Sequence, residues 1–292
     1  MNHPSSSHFS NRTLKLHITS LTKTQFRRGE FYPGAFQFAF ELSSSIKKAI
    51  PENVAVLTAR AREFKFALAL KPGDKICSAY RAIGRLNGFS DWGIGADDVY
   101  YGSVVEWVFQ ERKGIRKLAN FEIMVENDAK NRRDCNYIIV GDTGEKDEEA
   151  GERIAKKFGP KKIRAVFLHC VSDSPDRSLL LLPKDRQMNG VPIFYFRTYV
   201  GAASKAFQNR LMTVEGLQRV IDAAKNDLLV LEKKVNTYKI KTLQPIISSR
   251  RNELERDINE AKIVKRTVSF QPAFLNSVSN DFNQKLMNMI PK

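Results

Sequence analysis

Tyr137-Ile138-Ile139-Val140-Gly141-Asp142-Thr143-Gly144-Glu145-Lys146-Asp147 is the stretch on which the reading of this chain turns. Its apolar run is long enough for a strand and too short for an ordinary helix. The run ends in Gly141-Asp142, passes through a glycine-containing turn and meets a second acid, Asp147. A helical pattern follows at once, over 148–158. In an open α/β sheet, ligands bind in the crevice at the carboxyl ends of the strands. Two carboxylates on such a turn suit a hard divalent cation, because Mg²⁺ is held by one or two carboxylates together with phosphate oxygens. An isolated Gly-Asp reads more readily as a solvated acidic turn; the rest of the chain weighs against that reading.

Upstream, Leu14-Lys15-Leu16-His17-Ile18-Thr19 alternates as a strand does, and Asn53-Val54-Ala55-Val56-Leu57 is an apolar run of buried-strand type. Between them, Tyr32-Pro33-Gly34 is a turn and 35–50 reads as a helix through Phe36, Phe40 and Ile46, stopped by Pro51. A further helix runs through Phe64, Phe66, Leu68 and Leu70 to Pro72-Gly73. Residues 74–112 read as less regular, with helical stretches at 77–86 and 104–109 on either side of a glycine-rich loop at 88–95. A helix over 113–126 precedes the opening stretch, and strands at 163–169 and 193–196 follow it, separated by a polar loop. Apolar strands alternating with helices predict a parallel sheet covered on both faces.

The pattern changes after Gly201. Leu217, Val220, Ile221, Ala224, Leu228, Leu231 and Val235 form one stripe on a long helix, with Thr213 as its cap and Glu215 in its first turn. A second helix over 242–266 carries Leu254, Ile258 and Ala261 inward, and Arg250, Arg251, Lys262, Lys265 and Arg266 on a face read as solvated. The expected organisation is a disordered start at 1–12, an α/β domain at 13–204, an α-helical pair at 205–270 and an unstructured tail at 271–292.

Composition bounds the function. A chain of 292 residues, 42% hydrophobic and 27% charged, has enough apolar material for a sizeable core, and no apolar run reaches transmembrane length. That predicts a soluble, cytoplasmic protein, peripheral to membranes at most. The absence of acids before Glu30 fits an organellar transit peptide, but no convincing amphipathic helix accompanies it. Cys77, Cys135 and Cys170 form no Cys-x-x-Cys pair, so they predict buried thiols in a reducing compartment. A net charge of +16 favours anionic partners: phosphorylated substrates, acidic lipid or nucleic acid. Nucleic acid ranks last, since no recognition element accompanies the charge.

Three polar features stand at the ends or entrances of elements in the predicted sheet: Thr58 after one strand, Lys117 on a helix, and Asp142 with Asp147 after the next strand. A hydroxyl with neighbouring amides, an ammonium and metal-binding acids are what phosphoryl transfer needs. Singly, Thr58 reads as a β-branched residue capping a helix, and Lys117 as a solvated lysine beside Lys113 and Arg116. Together they resemble the haloacid-dehalogenase-like (HAD) phosphotransferase superfamily. More narrowly, the chain is similar to the catalytic domain of actin-patch-protein-type phosphatidate phosphatases. The likeness rests on Val56-Leu57-Thr58-Ala59-Arg60, Lys117-Leu118-Ala119-Asn120-Phe121, the opening stretch and the strand ending at His169. Tyr32-Pro33-Gly34 and Phe196-Arg197-Thr198-Tyr199-Val200-Gly201-Ala202 match more weakly. The resemblance implies an HAD-like Rossmannoid parallel sheet flanked by helices and followed by a C-terminal helical hairpin. It implies phosphatidate or another phosphomonoester bound by Thr58, Ala59, Arg60 and Lys117. Arg116 and Lys113 contest the lysine's role. Asp142 would bind Mg²⁺ with Asp147 in support.

The family's chemistry begins with an Asp-x-Asp-x-Thr run ending the first strand, where the first Asp attacks phosphorus. This chain contains no Asp-x-Asp, and Leu14–Thr19 is followed by Ser20-Leu21-Thr22-Lys23. Loss of a covalent nucleophile removes many orders of magnitude of rate. The sequence therefore predicts a phosphatase-type domain that does not turn over by this route, either a truncated gene reading or a catalytically dead relative. A non-catalytic module for anionic phospholipid or a membrane surface is the alternative.

Overall fold

A computed structural model of the chain describes residues 13–19, 32–44, 51–61, 73–102, 113–131, 133–144, 146–171, 181–237, 239 and 244–287. The expectations for 1–12, for the helix through Phe64 to Leu70, for 104–109 and for the run after Thr19 lie outside these residues.

Among the described residues the central layer is a sheet of seven strands: β1 (Thr13–Thr19), β2 (Val54–Ala61), β3 (Ile94–Gly102), β4 (Cys135–Asp142), β5 (Ile163–His169), β6 (Arg186–Met188) and β7 (Val191–Phe196). Their order across the sheet is β3-β2-β1-β4-β5-β7-β6, with every neighbouring pair parallel except β6–β7. The chain is thus an α/β protein with a mainly parallel sheet. The near-continuous apolar runs of β4 and β5 follow from burial on both faces.

Seven helices are described: α1 (Ala35–Ser44), α2 (Lys75–Leu86), α3 (Lys113–Lys130), α4 (Asp147–Phe158), α5 (Tyr199–Gln208), α6 (Val214–Thr237) and α7 (Gln244–Met287). One face of the sheet packs through Ile138, Val140, Phe167 and Phe196 against α1 and α5, and α6 and α7 extend the same core by packing on those helices. The other packs through Ile139, Tyr137, Val166 and Leu168 against α3 and α4. The predicted stripe of α6 is buried at every position from Leu217 to Val235, and Leu254, Ile258 and Ala261 of α7 join the same core. Thr213 caps α6 as expected, its hydroxyl accepting the Gly216 N–H at 3.0 Å. Arg251 reaches Glu232 and Lys265 reaches Gln218, so α6 and α7 run antiparallel. Gly34 has φ +82° and lies against α6, where an added Cβ would stand 3.0 Å from Ala224 Cβ. Only glycine fits that turn.

The structure corrects several expectations. Residues 94–102, read as loop and irregular chain, form the edge strand β3. The polar segment before Ile193 contains β6, joined to β7 by Asn189-Gly190, both with positive φ, as a two-residue hairpin turn requires. Helix α5 was not foreseen. The tail read as unstructured from 271 is helical to Met287. Of the basic face of α7, Arg251, Lys262 and Arg266 are solvated, but the side chain of Arg250 is only 12% exposed and pairs with Glu253.

Asp227 of α6 shows how that helix is pinned. Its carboxylate accepts the Gly34 N–H at 2.9 Å, and burial nonetheless raises its pKa above the usual carboxylate value. A raised folded pKa favours the protonated form, so the penalty falls at neutral pH and disappears in acid. Asp227→Asn keeps an acceptor for Gly34. It is expected to raise stability to urea at pH 7 and to leave it unchanged at pH 3.

Candidate functional site

Strand order fixes where a site can form. The chain winds outward from β1 through β2 to β3, then returns to β4 on the opposite side of β1, which makes the β1/β4 boundary a topological switch point. Thr19 is level with Leu57, and Ile18 with Val140. Thr58 and Asp142 therefore both stand one residue beyond the Thr19 level, flanking β1 at the carboxyl end of the sheet. Their backbones are two strand spacings apart, about 10 Å.

Helix α3 enters the crevice from β3 and runs back against the strands, so its first turns lie at their carboxyl ends. Lys117, Phe121, Met124 and Asp128 form its inward stripe. Lys117 is 1% exposed and Asp147 is fully buried, and the two form an ion pair. Lys117 is thus an interior side chain, contrary to the solvated reading. The second oxygen of Asp147 accepts the Asp142 N–H at 3.1 Å. Asp142 in turn curls over its own turn, its Oδ1 accepting the Gly144 N–H at 2.9 Å. One turn after Lys117, the Asn120 side-chain amide donates to the Thr58 carbonyl at 3.0 Å and to Tyr100 O at 3.4 Å. Lys117, Asp147, Asp142 and Thr58 are thereby brought to one rim through α3. Ala59 and Arg60 continue β2 beyond Thr58; their side chains are outside the described set.

The opposite layer also reaches Asp142. In register across the sheet, Asp142 stands beside His169, and His169 beside Phe196. His169 is 3% exposed; its Nε2–H donates to the Arg197 carbonyl at 2.7 Å. The Tyr199 ring stacks on it at 5.9 Å and the Tyr32 ring meets it edge-on at 4.9 Å. Burial pushes the Tyr199 phenol well above its ordinary pKa, and the Asp142 carboxylate pushes in the same direction. Sequence reasoning missed this aromatic wall. Its signal was present: a His ending the strand next to the Gly-Asp strand, and the Tyr32 and Tyr199 words noted only as weak matches.

The donor set bears on a metal. Asp147 is committed to Lys117 and to a backbone amide, so it acts on Asp142 as an orienting neighbour. Among the described residues, no group of three or more His, Cys, Asp or Glu side chains could hold a metal ion. Mg²⁺ needs only one or two carboxylates when phosphate oxygens and water fill its other positions, and Asp142 with a fixed carboxylate fits that demand. The three cysteines are buried and unbridged. No helix among the described residues is long and apolar enough to cross a membrane.

No protein-family model, curated protein or solved structure matches the chain.

Proposed function

We propose that the crevice between β2 and β4 is a phosphomonoester pocket of the HAD type, related to phosphatidate phosphatases and lacking the nucleophilic aspartate. The observation that carries this reading is the convergence of Thr58, Lys117, Asp147 and Asp142, spread over 90 residues of sequence, on one rim of the switch point. Thr58 presents a hydroxyl and strand-end amides to phosphoryl oxygens. Lys117 and Asp147 together hold the Gly141-Asp142 backbone. Asp142 would hold Mg²⁺, which when bound offsets charge on the phosphoryl group. The outer face of α7 mixes Arg251, Arg256 and Lys262 with Glu255 and Glu260, so it offers no uniformly basic plane to a membrane. That favours a headgroup bound in the crevice over docking through the helices.

The test is calorimetric binding of inorganic phosphate with and without Mg²⁺, beside turnover assays on phosphatidate and p-nitrophenyl phosphate. Expected are Mg²⁺-enhanced phosphate binding, no turnover above the blank, and loss of the Mg²⁺ dependence in Asp142→Asn with the fold intact. Mg²⁺-enhanced binding that survives Asp142→Asn would remove the site assignment. Robust turnover abolished by Asp142→Asn would instead establish a complete enzyme.

A further inference from the structure

The side chain beside Lys117 carries a different problem. Arg116 is only 4% exposed, and among the described residues its Nε and Nη1 have no hydrogen-bond partner. A buried guanidinium without an anion is expensive, because its charge and its directed donors are both taken from water. The neighbouring Lys117 has its charge met by Asp147. Arg116 therefore brings a positive charge to this rim that no described carboxylate balances.

Its position follows from Asn120. Arg116 precedes Asn120 by one turn on the same face of α3, and Asn120 binds the carbonyls of Thr58 and Tyr100. Helical side chains lean toward the helix N-terminus, which here is the crevice end. Arg116 accordingly overlies the ends of β2 and β3, on the outer side of Thr58. The 18-residue helix α3 directs its first amides to the same place, and a helix N-terminus favours an anion.

We infer that Arg116 is the anion-binding residue of this crevice, its fork of donors taking the non-bridging oxygens of a phosphomonoester alongside Thr58. The inference rests on the phosphomonoester reading of the crevice and assigns it a cation that the family-like motif does not contain. It also assigns Lys117 to positioning through Asp147 and not to direct charge compensation.

The full chain is titrated with inorganic phosphate in the calorimeter, and separately with phosphatidate-containing vesicles against phosphatidylcholine vesicles by flotation. The variants are Arg116→Met, Arg116→Lys and Asp142→Asn, each followed by thermal unfolding without ligand. Arg116→Met is expected to weaken phosphate at least about tenfold, the loss of one or two charge-assisted hydrogen bonds. Its unliganded melting temperature should equal or exceed the parent's, because an unpaired buried charge has gone. Arg116→Lys should recover part of the affinity, as a point charge without the fork. Phosphate affinity within twofold of the parent in Arg116→Met overturns the inference, as does a steep fall of its unliganded melting temperature. Loss of Mg²⁺ dependence in Asp142→Asn beside unchanged binding in Arg116→Met overturns this inference alone. A parent chain that binds neither phosphate nor phosphatidate vesicles overturns the crevice reading with it. Phosphate binding that is weakened in Arg116→Met and comes without preference for phosphatidate vesicles identifies the free anion as the ligand and supports the assignment of Arg116.

Discussion

Asp147→Asn is expected to destabilise the protein by about 3–5 kcal/mol, the cost of leaving one partner of a buried ion pair uncompensated. Both Lys117 and Asp147 are essentially inaccessible, so neither charge can turn to water when the other is removed. Lys117→Met should cost a similar amount for the complementary reason. The two losses should not add. In Lys117→Met/Asp147→Leu neither charge of the pair remains, and the residual penalty is the orphaned Asp142 N–H, about 1–3 kcal/mol. Guanidinium unfolding of the four proteins measures the coupling. A double variant as unstable as the sum of the singles would show that the pair is not an energetic unit.

Asp257→Ala is expected to cost about 3 kcal/mol and to loosen the long last helix from the sheet. Asp257 is 2% exposed and ties α7 to the end of β7, accepting from Arg197 Nη2 at 2.7 Å and from the Thr198 hydroxyl at 2.7 Å. Thr198 is also the N-cap of α5, its hydroxyl accepting the Gly201 N–H at 3.2 Å, so one carboxylate orients two elements. Arg251→Ala, a change on the same helix that breaks a half-exposed pair with Glu232 of α6, should shift stability by no more than about 1 kcal/mol. Guanidinium unfolding followed by two probes separates the cases. Equal midpoints for parent and Asp257→Ala would show that α7 is held by its apolar stripe alone.

What the sequence made legible was whatever wrote itself as periodicity. The apolar runs of β4 and β5 and the stripe from Leu217 to Val235 need no tertiary information to be read. Strand β3 was hidden because Ile94-Gly95-Ala96-Asp97-Asp98 has poor strand propensity and takes its conformation from pairing with β2. Helix α5 was hidden because Val200-Gly201-Ala202-Ala203 is small and apolar on all sides, being wrapped by core, and so shows no polar face to give a period. At the site, Thr58, Lys117, Asp142 and Asp147 were each named from sequence. The burial of Lys117 was readable from its three- and four-residue spacing to Phe121, Met124 and Asp128. The role of Asp147 as partner to Lys117 was not, because an ion pair between α3 and α4 depends on how two helices pack on one face.

The central place of β1 has a consequence for how the chain assembles. One neighbour of this first strand lies at 54–61 and the other at 135–142, so one of its hydrogen-bonding edges has no partner until Cys135–Asp142 has been synthesised. Until then the growing polypeptide carries an open strand edge of the kind that recruits other chains. The β1–β4 pairing closes a loop of more than a hundred residues and belongs to the slow, non-local part of folding. The last contact that completes the sheet's middle is also the one that brings Asp142 beside β1, so the crevice comes into being only when the fold closes.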